Sequence, residues 1–264
     1  MGVLMGLWSH EHVITIFPAF AIMIAVDILM RKLLINKSFE VRMIPIKIIS
    51  VILVVIEIGK QICSASRGYN LYHIPLHFCS IFLYILPLMA FYRGKYQESM
   101  RSVACSTMLA LFIGMLTIPS VIYSADRINT FFDDYLSFHT VFFHNLVMLA
   151  LFITVALDLH RPSGKRRETL FVTLFGTGFV AIAASASHIL QTNYSNFLFC
   201  TVGFIKTLTD NMKATFGEVP VTIFYTVTLA VLHVLLMVAT NYLYLLICIC
   251  KEKICGLFGK KKAK

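Results

Sequence analysis

The sequence predicts an all-α integral membrane protein with seven transmembrane helices, its N-terminus outside and its C-terminus in the cytoplasm. Three observations predict this fold class: the composition, the spacing of the apolar runs and the distribution of basic residues. Of the 264 residues, 58% are hydrophobic and 14% are charged, and the mean hydropathy is +0.81. A soluble domain of this length cannot cover so much apolar surface, because its exterior needs charge. A lipid bilayer removes that constraint.

The apolar runs are long enough to cross a bilayer, which takes about 20 consecutive residues. A shorter run at residues 195–208 is predicted to be re-entrant or interfacial. Residues 1–250 then form a single transmembrane helical domain, and residues 251–264 form a basic cytoplasmic tail. The seven predicted spans are residues 12–30, 43–62, 74–92, 102–123, 136–157, 168–191 and 220–249.

The basic residues decide the predicted orientation. Seventeen of the 23 Lys and Arg residues lie in the first, third and fifth loops and in the tail. The opposite side holds four, namely Arg67, Arg127, Lys206 and Lys213. Cytoplasmic loops are enriched in Lys and Arg, so the first group is placed in the cytoplasm. The same pattern accounts for the net charge of +10 without nucleic acid as a partner.

The expected location is the cell membrane, as a multi-pass protein. The sequence ends in KKAK, which resembles a dilysine retrieval signal. In a eukaryotic host this signal would indicate the endoplasmic reticulum membrane instead. The seven Cys residues include no C-x-x-C pair and lie mostly in apolar runs, which argues against a disulfide framework or a zinc finger. We therefore expect no cofactor and no structural metal.

Polar residues within the predicted spans are costly and are functional candidates by default. Eight such residues come from four helices and a loop, and all fall in the predicted outer half of the bilayer. Scattered structural residues have no reason to share one depth, so we predict one polar site that opens to the exoplasmic leaflet. The eight residues are Glu57, Lys60, His77, Cys79, His139, His144, His188 and Asn193.

Cys79 is the candidate nucleophile. Pro75 suits the first turn of the third predicted span, which places Cys79 near a helix N-terminus, where the helix dipole favours a thiolate. The alternative is an inert apolar cysteine. In a regular helix His77 points to the opposite face. His139 and His144 are separated by about 140° around their helix, so only one of them easily faces Cys79, and depth slightly favours His139.

The chemistry that these residues indicate is acyl transfer. A thiolate attacks an acyl carbonyl, and a histidine from another helix takes and returns the proton. Helix N-terminal N–H groups, Lys60 or Asn193 are candidates to stabilise the oxyanion. At headgroup depth the expected partners are membrane phospholipids and lysophospholipids. Glu57 and Lys60 are spaced i, i+3 and can form a neutralising pair, and His233 is interpreted as a structural histidine.

Four motifs resemble the YwaF-like bacterial integral membrane proteins, in the same order, over about residues 55–200. Eukaryotic relatives of that family look like cysteine-dependent transmembrane acyltransferases that remodel ether phospholipids. The resemblance implies that Cys79 and either His144 or His139 form the catalytic pair, and the order along the chain favours His144. The motifs are ExxK at Glu57–Lys60, IPLHFCSIFLYILPL at 74–88, FHTVFFHN at 138–145 and TNYSN at 192–196.

Three other functions stay open. A transporter would need polar residues through the full depth of the bundle and usually internal repeats, whereas the inner half looks nearly purely apolar and no repeat is visible. A single copper or zinc site formed by His77, Cys79, His139 and His144 is a second alternative. A non-catalytic lipid-binding or assembly protein is the third.

Overall fold

A computed structural model describes residues 10–119, 123–201 and 203–261. Within these residues the secondary structure is helical, and no β-strand is found. Three 3₁₀ turns, at Leu71–His73, Phe78–Ile81 and Tyr194–Asn196, accompany the α-helices. The helices are α1 (His10–Leu34), α2 (Phe39–Arg42), α3 (Ile44–Ser66), α4 (Phe82–Phe91), α5 (Gln97–Thr117), α6 (Ala125–Asn129), α7 (Tyr135–Ala156), α8 (Arg166–Leu190), α9 (Gly203–Phe216) and α10 (Glu218–Lys261).

Five helices in the described part of the chain are long and apolar enough to cross a membrane: α1, α5, α7, α8 and α10. They coincide with the first, fourth, fifth, sixth and seventh predicted spans. The second predicted span corresponds to α3, which carries Lys47, Glu57 and Lys60. The third corresponds to a 3₁₀ turn followed by the short helix α4. The all-α membrane class is therefore confirmed, with five helices that meet the length and hydropathy needed for a span.

The helices α5 and α7 form the centre of the bundle. In α5 and in α7, 61% of an apolar 18-residue stretch is buried inside the protein, whereas in α1 and in α10 the share is 11%. Helix α7 packs against α1, α3 and α5, and α5 also packs against α4, α8 and α10. A helix that is apolar all round needs protein or lipid on every side. The outer helices accordingly expose large side chains such as Ile22 and Phe224, which suits contact with lipid.

Three basic side chains cap the C-terminus of α7. Arg31 of α1 donates a hydrogen bond to the Ala156 carbonyl, and Arg42 of α2 donates one to the Leu157 carbonyl. Lys251 of α10 donates one to the Val155 carbonyl. The last carbonyls of a helix have no partner within the helix, and cations are favourable there because of the helix dipole. Lys251 also lies 2.6 Å from the Asp158 carboxylate. These contacts tie α1 and α10 to the central helix at one end of the bundle.

A buried hydrogen-bonded cluster joins α5, the loop after α7 and α8 at this same end. The Ser102 hydroxyl oxygen lies 2.7 Å from His160 Nε2 and 2.7 Å from Glu168 Oε1. His160 Nδ1 lies 3.1 Å from Glu98 Oε2. Ser102, His160 and Glu168 are all buried. The sequence does not predict this cluster, because its members lie at the ends of separate spans. Polar residues at such positions are attributed to the orientation of the protein in the membrane.

The expectation of a nearly purely apolar inner half does not hold. Besides this cluster, Asn241 and Tyr244 of α10 are buried, and Asp27 lies within α1. Single polar residues hardly change the mean hydropathy of a long apolar window, so they are easily passed over. The inner half therefore no longer counts against a transporter function. No internal repeat is visible in the sequence, and that observation still does.

The last two helices, α9 and α10, extend beyond the segment and the span predicted for this part of the chain. The predicted interfacial segment becomes the 3₁₀ turn at Tyr194–Asn196 followed by α9, in which no residue is buried and Phe204 and Leu208 are exposed. Gly217, with a φ of +87°, connects α9 to α10 in a left-handed conformation that suits glycine. Helix α10 continues to Lys261, so residues 251–261 of the predicted tail are helical. Residues 262–264 lie outside the described residues.

Replacing Ser102 with alanine is expected to destabilise the protein. The substitution leaves buried groups of His160 and Glu168 without a partner, at about 1–3 kcal/mol for each unsatisfied group. The midpoint of thermal unfolding in detergent, followed by circular dichroism, should fall by about 2–4 °C per kcal/mol. Ser106→Ala is the matched control, because Ser106 is buried in the same helix and its hydroxyl bonds only to the Val103 carbonyl. Equal midpoints for the two variants would contradict the prediction.

Candidate functional site

The segment between α3 and α4 is irregular where a regular helix was predicted. Asn70 caps a 3₁₀ turn, with its side-chain oxygen accepting the Tyr72 N–H at 2.9 Å. Pro75 disfavours helical dihedrals at the preceding residue, and Ile74 is extended, with a ψ of 132°. Helix α4 therefore begins only at Phe82. The prediction that Cys79 lies in the first turn of a regular α-helix is wrong, since Cys79 lies in the 3₁₀ turn before that helix.

Side chains from both flanking helices satisfy the backbone of this irregular segment. Gln61 of α3 donates from Nε2 to the His73 carbonyl at 2.8 Å. The Tyr84 hydroxyl of α4 donates to the Pro75 carbonyl at 3.2 Å. Irregular backbone at membrane depth is tolerated only where protein or water satisfies its polar groups. These bonds hold the segment against the ends of α3 and α4.

A distant turn supplies the remaining partners. The Ser195 hydroxyl accepts the Phe78 N–H at 2.6 Å, and the Tyr194 hydroxyl donates to the Leu71 carbonyl at 2.5 Å. Ser195 adopts a φ of 48°, in the left-handed region. The Phe78 bond immediately precedes Cys79, so the turn at Tyr194–Asn196 fixes the backbone that carries the candidate nucleophile.

His77 uses both of its ring nitrogens in this arrangement. Its Nε2 lies 3.1 Å from the Tyr72 carbonyl, and its Nδ1 accepts the Ser195 N–H at 3.4 Å. A carbonyl oxygen can only accept, so these contacts assign the ring hydrogen to Nε2. The ring also packs edge-on against Tyr72 and Tyr194. With both nitrogens engaged, His77 has no free lone pair for a proton from Cys79, and it links the two turns.

A cavity of about 260 Å³ lies between this segment, α3, α6 and α7, and we call it the Cys79 cavity. Cys79 is partly exposed, whereas His139 and His144 are largely buried. Because the turn is not α-helical, His77 and Cys79 border one cavity, and both α7 histidines reach it. Five of the eight predicted site residues line it: Lys60, His77, Cys79, His139 and His144.

Glu57 lies behind the cavity and orders two of its lining residues. Its Oε1 is 2.7 Å from Lys60 Nζ, which confirms the predicted i, i+3 pair, and its Oε2 is 2.9 Å from His139 Nε2. Gln61 Nε2 also donates to Oε1 at 2.6 Å. The side chains of Glu57 and Lys60 are only 10% and 13% exposed, so the pair must be well compensated to persist. Glu57 thereby keeps His139 Nε2 beside the carboxylate, at ion-pair distance but without an aligned hydrogen bond.

His144 presents a different ring edge. Its Nδ1 lies 2.5 Å from the Thr140 carbonyl one turn earlier in α7. A carbonyl accepts only, so the hydrogen is assigned to Nδ1, which leaves a lone pair on Nε2. This is the neutral imidazole state that a general base needs. Of the two α7 histidines, His144 therefore combines a fixed tautomer with a nitrogen that is not directed at a carboxylate.

Two further ionisable groups are Asp134, at the N-terminus of α7, and His73, which lines the cavity. Asp134 caps α7 by accepting the Ser137 N–H at 3.0 Å and pairs with Arg67 at 2.7 Å. Burial raises the pKa of the Asp134 carboxyl, but the hydrogen bonds from Arg67 and Ser137 outweigh it and hold this pKa below its ordinary value. Burial, followed by the charge of Lys60, lowers the pKa of His73. The N-terminus of α7 thus carries an ionised carboxylate, and the cavity wall carries a histidine that favours its neutral form.

Besides Glu57, two more predicted site residues do not line the cavity. His188 of α8 bonds through Nε2 to the Thr226 hydroxyl of α10 at 2.9 Å. Asn193 accepts the Leu198 N–H at 3.0 Å and donates to the Phe199 carbonyl at 3.0 Å, so it orders the segment after the Tyr194–Asn196 turn. His233 bonds to the carbonyl of residue 229 at 2.8 Å, which confirms its interpretation as a satisfied bundle histidine.

Sequence analysis missed several residues of the site. Arg127, His73 and Thr140 also line the cavity. The Ser195 hydroxyl holds the backbone next to Cys79 by its bond to the Phe78 N–H. The TNYSN motif contained a signal for Ser195, but the hydrogen bond to a residue 117 positions away is visible only in the folded chain. The sequence places Arg127 among the few basic residues of the predicted outer side but does not predict that it lies near Cys79.

The arrangement also bears on a metal site. Within residues 10–119, 123–201 and 203–261, no three His, Cys, Asp or Glu side chains lie in an arrangement that could hold a metal ion. His77 uses both ring nitrogens in hydrogen bonds, and His139 directs Nε2 at Glu57. The four residues considered for copper or zinc therefore do not converge as ligands.

The apolar helices and the partly open cavity with its ionisable lining residues define an all-α integral membrane protein with a candidate site at one end of its bundle. Comparison with known proteins then gives the family. The chain belongs to the TMEM164 family, whose family model matches residues 7–238. The matched region contains every residue of the Cys79 cavity. Neither a curated protein nor a solved structure matched the chain.

Replacing Glu57 with glutamine is expected to be strongly destabilising. The substitution leaves Lys60 buried without its counter-charge and removes the acceptor of His139, which costs about 3–5 kcal/mol when one partner of a buried pair is lost. Thermal unfolding in detergent measures the change.

Glu40→Gln is the matched control for this variant. Glu40 also pairs with two cations, Lys47 at 3.1 Å and Arg93 at 2.8 Å, but it is exposed. Exposed pairs contribute about 0–1 kcal/mol. Similar losses for Glu57→Gln and Glu40→Gln would show that the buried network does not carry the expected energy.

Proposed function

We propose that this protein is a membrane phospholipid acyltransferase that carries the acyl group as a thioester on Cys79, with His144 as the general base. The observation that carries the proposal is that a partly exposed Cys79 and His144 line one cavity of about 260 Å³. The resemblance to YwaF-like proteins and their acyltransferase relatives supports the same chemistry. Membership of a transmembrane protein family is consistent with a lipid substrate.

The first half-reaction forms the thioester. His144 Nε2 accepts the proton of the Cys79 thiol, and the thiolate attacks the ester carbonyl of a phospholipid. The tetrahedral intermediate breaks its bond to the glycerol oxygen, which takes the proton back from His144. The products are a thioester on Cys79 and a lysophospholipid.

The second half-reaction transfers the acyl group. His144 accepts the proton of the hydroxyl of an acceptor lysophospholipid, whose oxygen attacks the thioester carbonyl. The bond between carbon and sulfur breaks, and the Cys79 thiolate recovers the proton from His144. One acyl chain has then moved from a donor phospholipid to an acceptor lysophospholipid, and no oxidant or nucleotide is consumed.

Two cations in the cavity have distinct proposed roles. Lys60, held by Glu57, is positioned to stabilise the oxyanion of the intermediate. Arg127 brings a guanidinium that suits a headgroup phosphate. The other oxyanion donors considered from the sequence are less suitable, because Asn193 lies outside the cavity and the Phe78 N–H is already bonded to Ser195.

His139 is proposed as a positioning residue. Its Nε2 faces Glu57, so the ring links the buried ion pair to the wall of the cavity. The depth estimate from the sequence favoured His139 as the base. The hydrogen-bond directions favour His144 instead, because its anchored Nδ1 leaves Nε2 as an acceptor.

We also propose the seven-span topology, with α3 and residues 74–92 as the second and third spans and the Cys79 cavity on the exoplasmic side. Helix α7 has 22 residues and is about 33 Å long, which matches a hydrocarbon core of about 30 Å. Its N-terminal half borders the cavity, and basic residues cap its C-terminus. The proposed location is the cell membrane, or the endoplasmic reticulum membrane in a eukaryotic host.

The thioester proposal is tested with purified protein in mixed phospholipids that carry a labelled acyl chain. Intact mass is expected to show a hydroxylamine-sensitive acyl adduct on the wild type and none on Cys79→Ser. His144→Ala should slow adduct formation by about 10²–10⁴-fold, the usual contribution of a general base. His139→Ala should retain more activity than His144→Ala.

Two matched controls accompany this test. Cys63→Ser removes another partly exposed cysteine, and His188→Ala removes a histidine that contacts α10 rather than the Cys79 cavity. Both should form the adduct at the wild-type rate. Indistinguishable lipid turnover by wild type and Cys79→Ser, with no adduct on either, would remove the acyltransferase reading and favour a non-catalytic lipid-binding role.

The topology is tested by cysteine labelling in intact cells with a membrane-impermeant maleimide. Asn211→Cys, on the exposed α9, should be labelled from outside, and Lys37→Cys, in the exposed first loop, only after permeabilisation. Each variant is compared with the protein lacking the new cysteine. For the endoplasmic reticulum the same comparison uses sealed microsomes, with the sides exchanged. Labelling of both positions from one side would refute the seven-span arrangement.

A further inference from the structure

Two adjoining cavities lie at the end of the bundle opposite the Cys79 cavity. The first, which we call the basic cavity, has about 340 Å³ and is lined by Arg31, Arg161, Lys251, Asp158, His160 and Glu252. The second, which we call the apolar cavity, has about 210 Å³ and is lined by Leu109, Phe112, Leu151, Phe152 and Ile247, with Asp27 at its wall. Val155 and Tyr244 border both. A charged compartment thus adjoins an apolar one.

The basic cavity has an excess of positive charge. Within this cavity three cations, Arg31, Arg161 and Lys251, face two carboxylates, Asp158 and Glu252. A third carboxyl group, that of Asp27, lies at the wall of the apolar cavity. Lys251 pairs closely with Asp158 and caps α7. Arg161 pairs with Glu252 at 2.7 Å, but both side chains are more than half exposed. Such exposed pairs are weak, so the Arg161 guanidinium is able to exchange its carboxylate for a phosphate, which it binds bidentately.

The boundary between the two cavities holds polar atoms that lack a partner. Tyr244 is only 1% exposed, and among the described residues its hydroxyl has no oxygen or nitrogen partner, only the weakly bonding thiol of Cys105 beside it. Asp27 Oδ1 has no partner in the described part of the chain. A buried polar group without a partner is costly. A ligand with oxygen atoms at the level of Tyr244 would satisfy the hydroxyl.

We propose that the basic and apolar cavities together bind an anionic phospholipid from the leaflet at this end of the bundle. Its phosphate lies against Arg161 and Arg31, its glycerol ester region reaches Tyr244, and part of an acyl chain fills the apolar cavity. The basic side chains at the headgroup end favour an anionic headgroup over a zwitterionic one. The adjoining apolar cavity selects a lipid over free phosphate. This site is separate from the Cys79 cavity and does not depend on the thioester proposal.

The proposal is tested by native mass spectrometry of the protein released from detergent. The protein carries Cys79→Ser, so that acyl transfer cannot alter the lipid. Phosphatidylglycerol and phosphatidylcholine with identical chains are compared. We expect phosphatidylglycerol to be retained more strongly, and Arg161→Gln to weaken its retention by about tenfold or more.

Two further variants separate a built site from general attraction to a basic surface. Arg93→Gln is the matched control, because Arg93 also forms a partly exposed pair with a carboxylate, that of Glu40, but does not line either cavity. It should leave phosphatidylglycerol retention unchanged. Tyr244→Phe should reduce retention without any change of charge. Thermal unfolding checks that each variant is folded.

Three results would overturn the proposal. One is equal retention of the two lipids by the parent protein. Another is an equal effect of Arg161→Gln and Arg93→Gln. The third is complete displacement of phosphatidylglycerol by inorganic phosphate at the same concentration, since this would indicate a small-anion site and not a lipid site.

Discussion

The arrangement of the candidate site depends on one constraint: the irregular backbone between α3 and α4 must have its polar groups satisfied by protein. Pro75 keeps Ile74 extended, and residues 70–81 form two short 3₁₀ turns instead of an α-helix, so they lack the usual helical bonds. Gln61, the Tyr84 hydroxyl and the Tyr194–Asn196 turn supply the partners instead. Because the last of these bonds adjoins Cys79, the same contacts that make the segment tolerable in an apolar bundle also position the candidate nucleophile.

Helix α7 connects this site to the rest of the molecule. Near its N-terminus His139 contacts Glu57 and His144 faces the Cys79 cavity. Its C-terminus is capped by Arg31, Arg42 and Lys251, which come from three other helical elements. The protein therefore carries two polar regions on one central helix, separated by roughly the thickness of the bilayer core.

The buried ion pair of Glu57 and Lys60 joins stability to the proposed chemistry. A carboxylate this buried persists only with several donors, and it receives contacts from Lys60, His139 and Gln61. The same contacts place a cation at the wall of the Cys79 cavity and orient one histidine there. Gln61 extends the network to the irregular backbone by its second bond, to the His73 carbonyl. The same contacts therefore determine both the packing at this end of α3 and the geometry of the site.

The sequence by itself determined the membrane class, the approximate positions of the helices, the pairing of Glu57 with Lys60 and the satisfied state of His233, because hydropathy and i, i+3 spacing act within single helices. Only the tertiary structure decided that Cys79 lies in a 3₁₀ turn and that His144 keeps a free Nε2. The bond from Phe78 to Ser195 and the cluster at Ser102 also required it. The Phe78–Ser195 bond and the Ser102 cluster join residues 58 to 117 positions apart, and such long-range contacts leave no periodic trace in the sequence. The tautomer of His144 follows from a local bond to Thr140, but hydropathy and spacing do not show which ring nitrogen makes that bond.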